Sequence, residues 1–235
     1  MIIQPETRVA EIAAALPHSI AVFQRVGIDF CCGGNKPLVA ACEEQGLAYP
    51  EVAQAITAAG AERPVERDWT RETLTSLADH IVERYHEPLA DELPRLQQMA
   101  ARVRQAHAGK APALVEGLQL LLSELAADLE AHMQKEEAVL FPAIRAVEAA
   151  AGRGEPAAPR LAAPIHVMER EHDRAGMLLA QLRRLTDDYV APEWACRTFR
   201  GLYQGLEALE LEMHVHVHLE NNVLFPHALR LAGAN

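Results

Sequence analysis

The chain has 235 residues, enough for one large domain or two smaller ones. Half of its residues are hydrophobic but only 5% are aromatic, a composition that favours helices packed on helices over a sheet protein. The formal net charge of −11 argues against a nucleic-acid-binding protein, which needs a basic surface to neutralise phosphates.

The first residues contain no basic region followed by an apolar run, so the sequence predicts no secretory signal. No stretch approaches the roughly 18 continuous apolar residues of a membrane-spanning helix. We therefore expect a cytoplasmic protein without a membrane partner, in a compartment where thiols stay reduced. The cysteines are then free thiols or ligands rather than disulfides, namely Cys31, Cys32, Cys42 and Cys196.

Residues 1–62 predict a small helical domain, because short apolar segments alternate with turn residues such as Gly27 and Gly46. Its most unusual segment is Asp29-Phe30-Cys31-Cys32-Gly33-Gly34, a turn that presents two adjacent thiols. Such cysteines often only pack, but two thiols followed by two glycines favour a functional pair. Residues 63–68 predict a linker.

Residues 69–235 carry a long helical pattern without any strand signal. The short first and third breaks between the helices are typical of antiparallel neighbours, so we expect two helical hairpins in an up-down four-helix bundle. The predicted helices cover about 70–107, 112–150, 164–186 and 192–231. The expected fold is therefore all-α, with a small helical domain before the bundle.

An internal repeat links the two hairpins. The second long helix contains HMQKEEAVLFP from His132, and the fourth contains HVHLENNVLFP from His216, at an offset of 84 residues. The first and third helices also correspond, since His86 and His172 lie 86 residues apart with acidic neighbours. Each hairpin thus contributes one lone histidine followed by a His-x-x-x-Glu.

Residues four apart lie one above the other on a helix, with Cβ atoms roughly 5–6 Å apart, so such a pair can reach one metal or two neighbouring metals. A single His-x-x-x-Glu is common in packed helices, but two copies at one offset indicate metal binding. Imidazole and carboxylate ligands suit iron, manganese or zinc. The candidate ligands are His86, His132, Glu136, His172, His216 and Glu220.

The ligand count predicts a pair of metals with an open position. If both carboxylates bridge, each metal receives two nitrogens and two oxygens. A bridging oxide or hydroxide supplies a fifth ligand, and one position stays available to a small molecule. Beyond the ligands, Pro142 and Pro226 are expected to kink or end the regular helix, while the effect of Pro88 near His86 stays open.

The cysteine segment, the bundle phrase that runs to Pro226 and the segment Glu171-His172-Asp173 together resemble the RIC (repair of iron centres) family, bacterial di-iron proteins with a hemerythrin-like bundle. The resemblance covers nearly the whole chain. It implies that two non-haem iron ions are held by the six candidate ligands, that both glutamates bridge, and that Cys31 and Cys32 form the family's cysteine pair. From spacing alone, Asp128 and Glu171 are predicted to be acids that support the ligands.

The resemblance implies repair of iron–sulfur clusters damaged by nitric oxide or oxidants, with damaged iron–sulfur proteins as partners. In one mechanism the chain donates iron, and Cys31 and Cys32 assist the transfer. In another it is an enzyme that binds nitric oxide or a similar diatomic molecule and forms nitrous oxide. An oxygen or redox sensor is a third alternative, and a homodimer stays open.

Overall fold

The structure is a computed structural model that describes residues 2–61, 67–155 and 160–233. Within these ranges the chain is helical and contains no β-strand, so the predicted all-α class is confirmed. The α-helices are α1 Val9–Ala15, α2 Ser19–Val26, α3 Leu38–Glu44, α4 Tyr49–Ala61, α5 Leu74–Ile81, α6 Glu87–His107, α7 Pro112–Lys135, α8 Phe141–Gly152, α9 Ala162–Leu185, α10 Arg197–Leu219 and α11 Phe225–Leu231.

The described helices divide between two compact units. The first, here called the terminal unit, contains residues 1–78, 144–162 and 214–235. The second, here called the bundle unit, contains residues 79–143 and 163–213. Residues 63–66 of the predicted linker lie outside the described residues, and the predicted boundaries at 62 and 69 stay predictions.

Four helical segments form a closed ring in the bundle unit. Helix α6 packs along α7, and Arg174 of α9 pairs with Glu124 of α7 at 2.7 Å. Arg183 of α9 pairs with Glu210 of α10 at 2.7 Å. A Cβ on Gly205 of α10 would lie only 2.5 Å from a leucine side chain of α6, so these helices also pack closely. Each segment has two neighbours, which is the arrangement of a four-helix bundle.

The terminal unit has its own apolar core beneath α1 to α4, formed by residues such as Ile12, Phe23 and Leu38. Gly27 and Gly46 end α2 and α3 with φ near +70°, a conformation in which a Cβ is strained. Helix α1 also packs against the turn at Glu220–Leu224. The N-terminal helices therefore lie beside the C-terminal end of the bundle sequence within one unit.

Three π-helical turns interrupt the long helices, at Val82–His86, Glu136–Leu140 and Glu220–Leu224. A proline lies at the second position of each α-helix that follows, namely Pro88, Pro142 and Pro226. Proline has no N–H, and its ring clashes with the carbonyl four residues earlier, so the regular bond cannot form. The residue before each proline instead bonds five residues back, as Phe141 does to Glu136. The interruption expected at Pro142 and Pro226 therefore begins before these prolines, at Glu136 and Glu220. The effect of Pro88, which the sequence left open, is a π turn that begins at Val82.

The connection between α9 and α10 is longer than predicted, because α10 begins at Arg197 and not near residue 192. Asp187, Asp188 and Tyr189 all have positive φ, so the chain turns sharply after α9. The Tyr189 amide donates to the hydroxyl of Thr186, and the tyrosine ring is buried. No helix in the described part of the chain has the length and apolar content to cross a membrane.

Candidate metal centre

Four predicted ligands meet inside the bundle unit. The carboxylate of Glu136 is completely buried, and its Oε2 lies 3.4 Å from His86 Nε2 and 3.3 Å from His132 Nε2. His172 Nε2 lies 3.0 Å from His132 Nε2. One ligand atom from each of His132, Glu136 and His172 lies within 4.8 Å of the others. Three imidazoles and one carboxylate thus form a cluster with almost no solvent exposure.

The helices place these ligands through their spacing and their π turns. His132 lies in the last turn of α7, and Glu136 begins the π turn that follows it. His86 ends the π turn between α5 and α6, while His172 lies within the uninterrupted α9. A π turn shifts the side chains that follow it around the helix, and such turns are frequent at functional sites.

Acidic side chains orient two of the imidazoles. Glu137 Oε1 lies 2.9 Å from His86 Nδ1, and Glu171 Oε2 lies 3.0 Å from His132 Nδ1. A carboxylate that accepts a hydrogen bond from Nδ1–H leaves the Nε2 lone pair available to bind a metal. Glu171 thus supports His132, whereas Asp128 pairs with Arg174. Glu137 escaped the sequence analysis, although it directly follows a ligand.

Hydrogen bonds from neighbouring side chains keep the Glu171 carboxyl ionised. Burial raises the pKa of this carboxyl, but hydrogen bonds from Lys135 and His132 outweigh burial and lower its pKa overall. The carboxylate therefore stays ionised beside the His132 ring at neutral pH. A negative charge at this position increases the basicity of the imidazole as a metal ligand.

The donor set fits a metal ion. A hydrogen bond from His132 Nδ1–H to Glu171 leaves the Nε2 lone pair directed toward the Glu136 carboxylate and His172. Atoms that all carry lone pairs repel one another in a buried site, and a cation among them removes that repulsion. Imidazole and carboxylate together suit iron, manganese or zinc. This cluster is therefore a candidate metal-binding site.

The remaining predicted pair lies in the terminal unit. His216 Nε2 is 3.2 Å from Glu220 Oε1, and both side chains are buried. The corresponding His132–Glu136 distance is 3.3 Å, and Glu220 begins a π turn just as Glu136 does. The two halves of the sequence repeat therefore have the same local geometry.

A cavity of about 360 Å³ reaches the bundle ligands from the surface of the bundle unit. His132 and His172 line it, together with the charged side chains of Lys135, Glu171 and Arg174. A small molecule or an ion in solvent can thus approach two imidazoles without passing through the apolar core.

The cysteine pair lies in a loop organised by Asp29. The Asp29 carboxylate accepts hydrogen bonds from the backbone amides of Cys31, Cys32 and Gly33 at 2.9–3.1 Å. A Cβ on Gly34 would lie 2.7 Å from the carbonyl oxygen of Phe30, so this position requires glycine. The glycines of the motif thus allow the chain to close tightly around the aspartate.

The two thiols have different environments. Cys31 is buried, and its Sγ lies 3.3 Å from Asp29 Oδ1, whereas Cys32 is partly exposed. A hydrogen bond with Cys32 raises the pKa of the Cys31 thiol, and burial and the Asp29 charge raise it further. Cys31 therefore stays protonated, and Cys32 is the thiol that solvent reaches.

Two residues of the second phrase contact this loop and were not among the predicted site residues. His218 Nδ1 lies 3.2 Å from the Phe30 carbonyl oxygen, and Asn222 Nδ2 donates to the Phe30 and Cys31 carbonyls. Burial lowers the pKa of His218 to about 4, so the ring is neutral. The sequence offered one indication of this role, because His218 and Asn222 each lie two residues after a candidate ligand.

Two family models match the chain. Residues 77–228 match the hemerythrin HHE cation-binding domain, which includes every predicted metal ligand. Residues 5–60 match a model described as a domain of unknown function, ScdA_N, which includes the cysteine pair.

Curated relatives match nearly the full chain. An iron–sulfur cluster repair protein, YtfE, from Cronobacter sakazakii is 41% identical over 219 residues, which are 93% of this chain and 94% of the relative. Proteins of the same name from Escherichia coli K12 and Shigella boydii are 40% identical over the same shares.

Proposed function

Because this chain belongs to the family of iron–sulfur cluster repair proteins with a hemerythrin HHE domain, we propose that it donates iron to damaged iron–sulfur clusters. Its partners are iron–sulfur proteins whose clusters nitric oxide or oxidants have attacked. The supporting observation is the buried cluster of three imidazoles and one carboxylate, which suits iron and opens toward a cavity. We place this activity in the cytoplasm, where the thiols of the chain stay reduced.

We further propose that the chain holds two iron ions. The repeat supports this, since the buried His216–Glu220 pair reproduces the local geometry of His132–Glu136. With His86 and His172, these pairs provide four imidazoles and two carboxylates, and both glutamates are expected to bridge together with an oxide or hydroxide. Iron bound by such ligands is exchangeable and can change its oxidation state.

The residues of the chain prepare the ligands for binding and release. Glu137 and Glu171 accept hydrogen bonds from the Nδ1 atoms of His86 and His132, so the Nε2 lone pairs stay available to a metal. Burial of Glu136 excludes water from its carboxylate. The charged side chains of the cavity offer an ion weak contacts on its way to solvent.

Cys31 and Cys32 assist the transfer in this proposal. Thiolates bind iron well, and the partly exposed Cys32 is the thiol that a client protein can reach. The Asp29 carboxylate fixes the loop, so the two sulfur atoms keep one arrangement.

The test of iron donation uses the iron-loaded chain and a dehydratase whose [4Fe–4S] cluster nitric oxide has damaged. Under anaerobic conditions the loaded chain should restore dehydratase activity and the metal-free chain should not, while His132→Ala should restore it only in proportion to the iron that this variant retains. A double Cys31→Ala, Cys32→Ala variant should keep its iron and restore activity more slowly. Equal recovery with loaded and metal-free chain would contradict iron donation.

Reduction of nitric oxide is the second candidate, favoured by the cavity that leads a small molecule to His132 and His172. Formation of one nitrous oxide from two nitric oxide molecules consumes two electrons and two protons. Headspace analysis after anaerobic mixing of the reduced protein with nitric oxide and a chemical reductant distinguishes the two functions. Many nitrous oxide molecules per chain would support reduction, and none would exclude it as the main activity.

A further inference from the structure

The π turn that begins at Glu220 carries two kinds of contact. His216 and Glu220 form the buried ligand pair, whereas His218 and Asn222 contact the cysteine loop. Two residues correspond to a rotation of about 200° around a helix, so the ligand pair and the loop contacts occupy opposite faces. One short segment of chain therefore touches both functional features of the terminal unit.

Asn222 makes two hydrogen bonds to the backbone of the cysteine loop. Its Nδ2 lies 3.2 Å from the Phe30 carbonyl oxygen and 3.1 Å from that of Cys31. The amide group has two hydrogens, and these two carbonyls accept both. His218 Nδ1 lies 3.2 Å from the Phe30 oxygen and 3.2 Å from Asn222 Nδ2, so the imidazole and the amide meet at the same carbonyl.

The rest of the loop is held together by the Asp29 carboxylate, which accepts hydrogen bonds from three successive amides and from the Cys31 thiol. The ring of Phe30 packs edge-on against His218, with centroids 5.6 Å apart. Exposure of the buried Cys31 thus requires that the loop leave α10 and the π turn, which breaks both Asn222 bonds.

We propose that Asn222 is a positioning residue that couples metal binding at Glu220 to the opening of the Cys31–Cys32 loop. A π turn is a strained form of helix, and a ligand that fixes its first residue restricts the motion of the whole turn. Metal binding therefore holds Asn222 in place and keeps the loop closed, and metal loss releases it. This coupling rests on the proposed metal site at His216 and Glu220.

Alkylation of Cys31 measures loop opening. Full-length protein is mixed anaerobically with iodoacetamide, with and without bound ferrous iron, and the peptide modified only at Cys31 is quantified by tandem mass spectrometry. The exposed Cys196 in the same chain is the internal control. Iron content is measured on each sample.

In the wild type, iron should slow the alkylation of Cys31 and leave that of Cys196 unchanged. Asn222→Ala removes two hydrogen bonds and should speed Cys31 alkylation of the iron-loaded protein about tenfold. In this variant the effect of iron on Cys31 should disappear while iron content stays at the wild-type value. Asn222→Asp, which retains the side-chain size but repels the carbonyls, should behave in the same way, and circular dichroism verifies the fold of both.

Three results would overturn the coupling. Wild-type rates in both variants would show that Asn222 does not hold the loop. Protection of Cys31 by iron that persists in Asn222→Ala would show that iron acts directly on the thiols. Wild-type protein that binds no iron would contradict the proposed function itself, and the iron measurement separates this result from the other two.

Discussion

Replacement of Glu136 by Met tests whether this carboxylate is present for a metal or for stability. The Glu136 side chain is completely buried, and its two imidazole distances of 3.4 and 3.3 Å exceed those of good hydrogen bonds. Methionine has a similar length and fills irregular apolar space. The substitution therefore removes a buried charge without a large cavity.

Two opposite shifts in stability follow from this geometry. Without metal, exchange of this buried carboxylate for an apolar side chain relieves the cost of keeping a charge away from water. The stabilisation should be at most the about 1–4 kcal/mol seen when whole buried ion pairs are replaced by apolar residues. At about 2–4 °C per kcal/mol for a chain of this size, Glu136→Met should melt up to about 16 °C above the metal-free wild type. With metal at 100 times its Kd, only the wild type gains stability, by about 2.7 kcal/mol. The difference between the two melting temperatures should then narrow, or their order should reverse.

Anaerobic calorimetry of both proteins, with chelator and with ferrous iron, measures these shifts. The matched control is Glu130→Met, an exposed position on α7, the helix that precedes the Glu136 turn. This variant should change stability by less than about 0.5 kcal/mol and keep the full response to iron. A metal-free Glu136→Met protein destabilised by about 3–5 kcal/mol would refute the reasoning, because Glu136 would then be a structural ion-pair partner.

Glu148 accepts hydrogen bonds from the start of α5, including the amide and hydroxyl of Thr75; burial raises its pKa, but these bonds lower it below the ordinary 4.5. Glu148→Gln should therefore lower the free energy of unfolding in urea by about 1 kcal/mol near pH 7. The difference should fade as acid protonates the native carboxylate, and a loss that does not depend on pH would contradict this account. Gly34→Ala should destabilise the fold by about 1–3 kcal/mol because its Cβ meets a backbone carbonyl. The control Gly109→Ala, whose Cβ meets nothing within 4 Å, should leave the stability unchanged, and equal effects of both would contradict the packing argument. Glu137→Ala should weaken metal binding about 10–100-fold in chelator competition, and an unchanged affinity would show that His86 needs no orienting acid.

The bundle and the burial of the candidate ligands were predictable from the sequence because helical periodicity and four-residue spacing are local properties. The repeat of His132–Glu136 in His216–Glu220 indicated equivalent geometry, and the distances of 3.3 and 3.2 Å agree with it. The π turns were not predicted. Their signal is a proline soon after a ligand, as at Pro88, and its effect depends on how the chain satisfies a carbonyl that has lost its donor.

Contacts between distant parts of the sequence were also beyond prediction. Glu171 was expected to support a ligand, but its partner is His132 on another helix and not the adjacent His172. Asn222 contacts the cysteine loop across nearly the whole length of the chain. Such pairs depend on tertiary packing, which no local pattern of residue types contains.

The metal content of anaerobically reconstituted protein tests the central claim most directly. Mössbauer spectroscopy with metal analysis should find two non-haem iron ions per wild-type chain. His132→Ala and Glu220→Ala, one from each half of the repeat, should lose half or all of this iron. Two irons retained in both variants, or no iron in the wild type, would contradict the account.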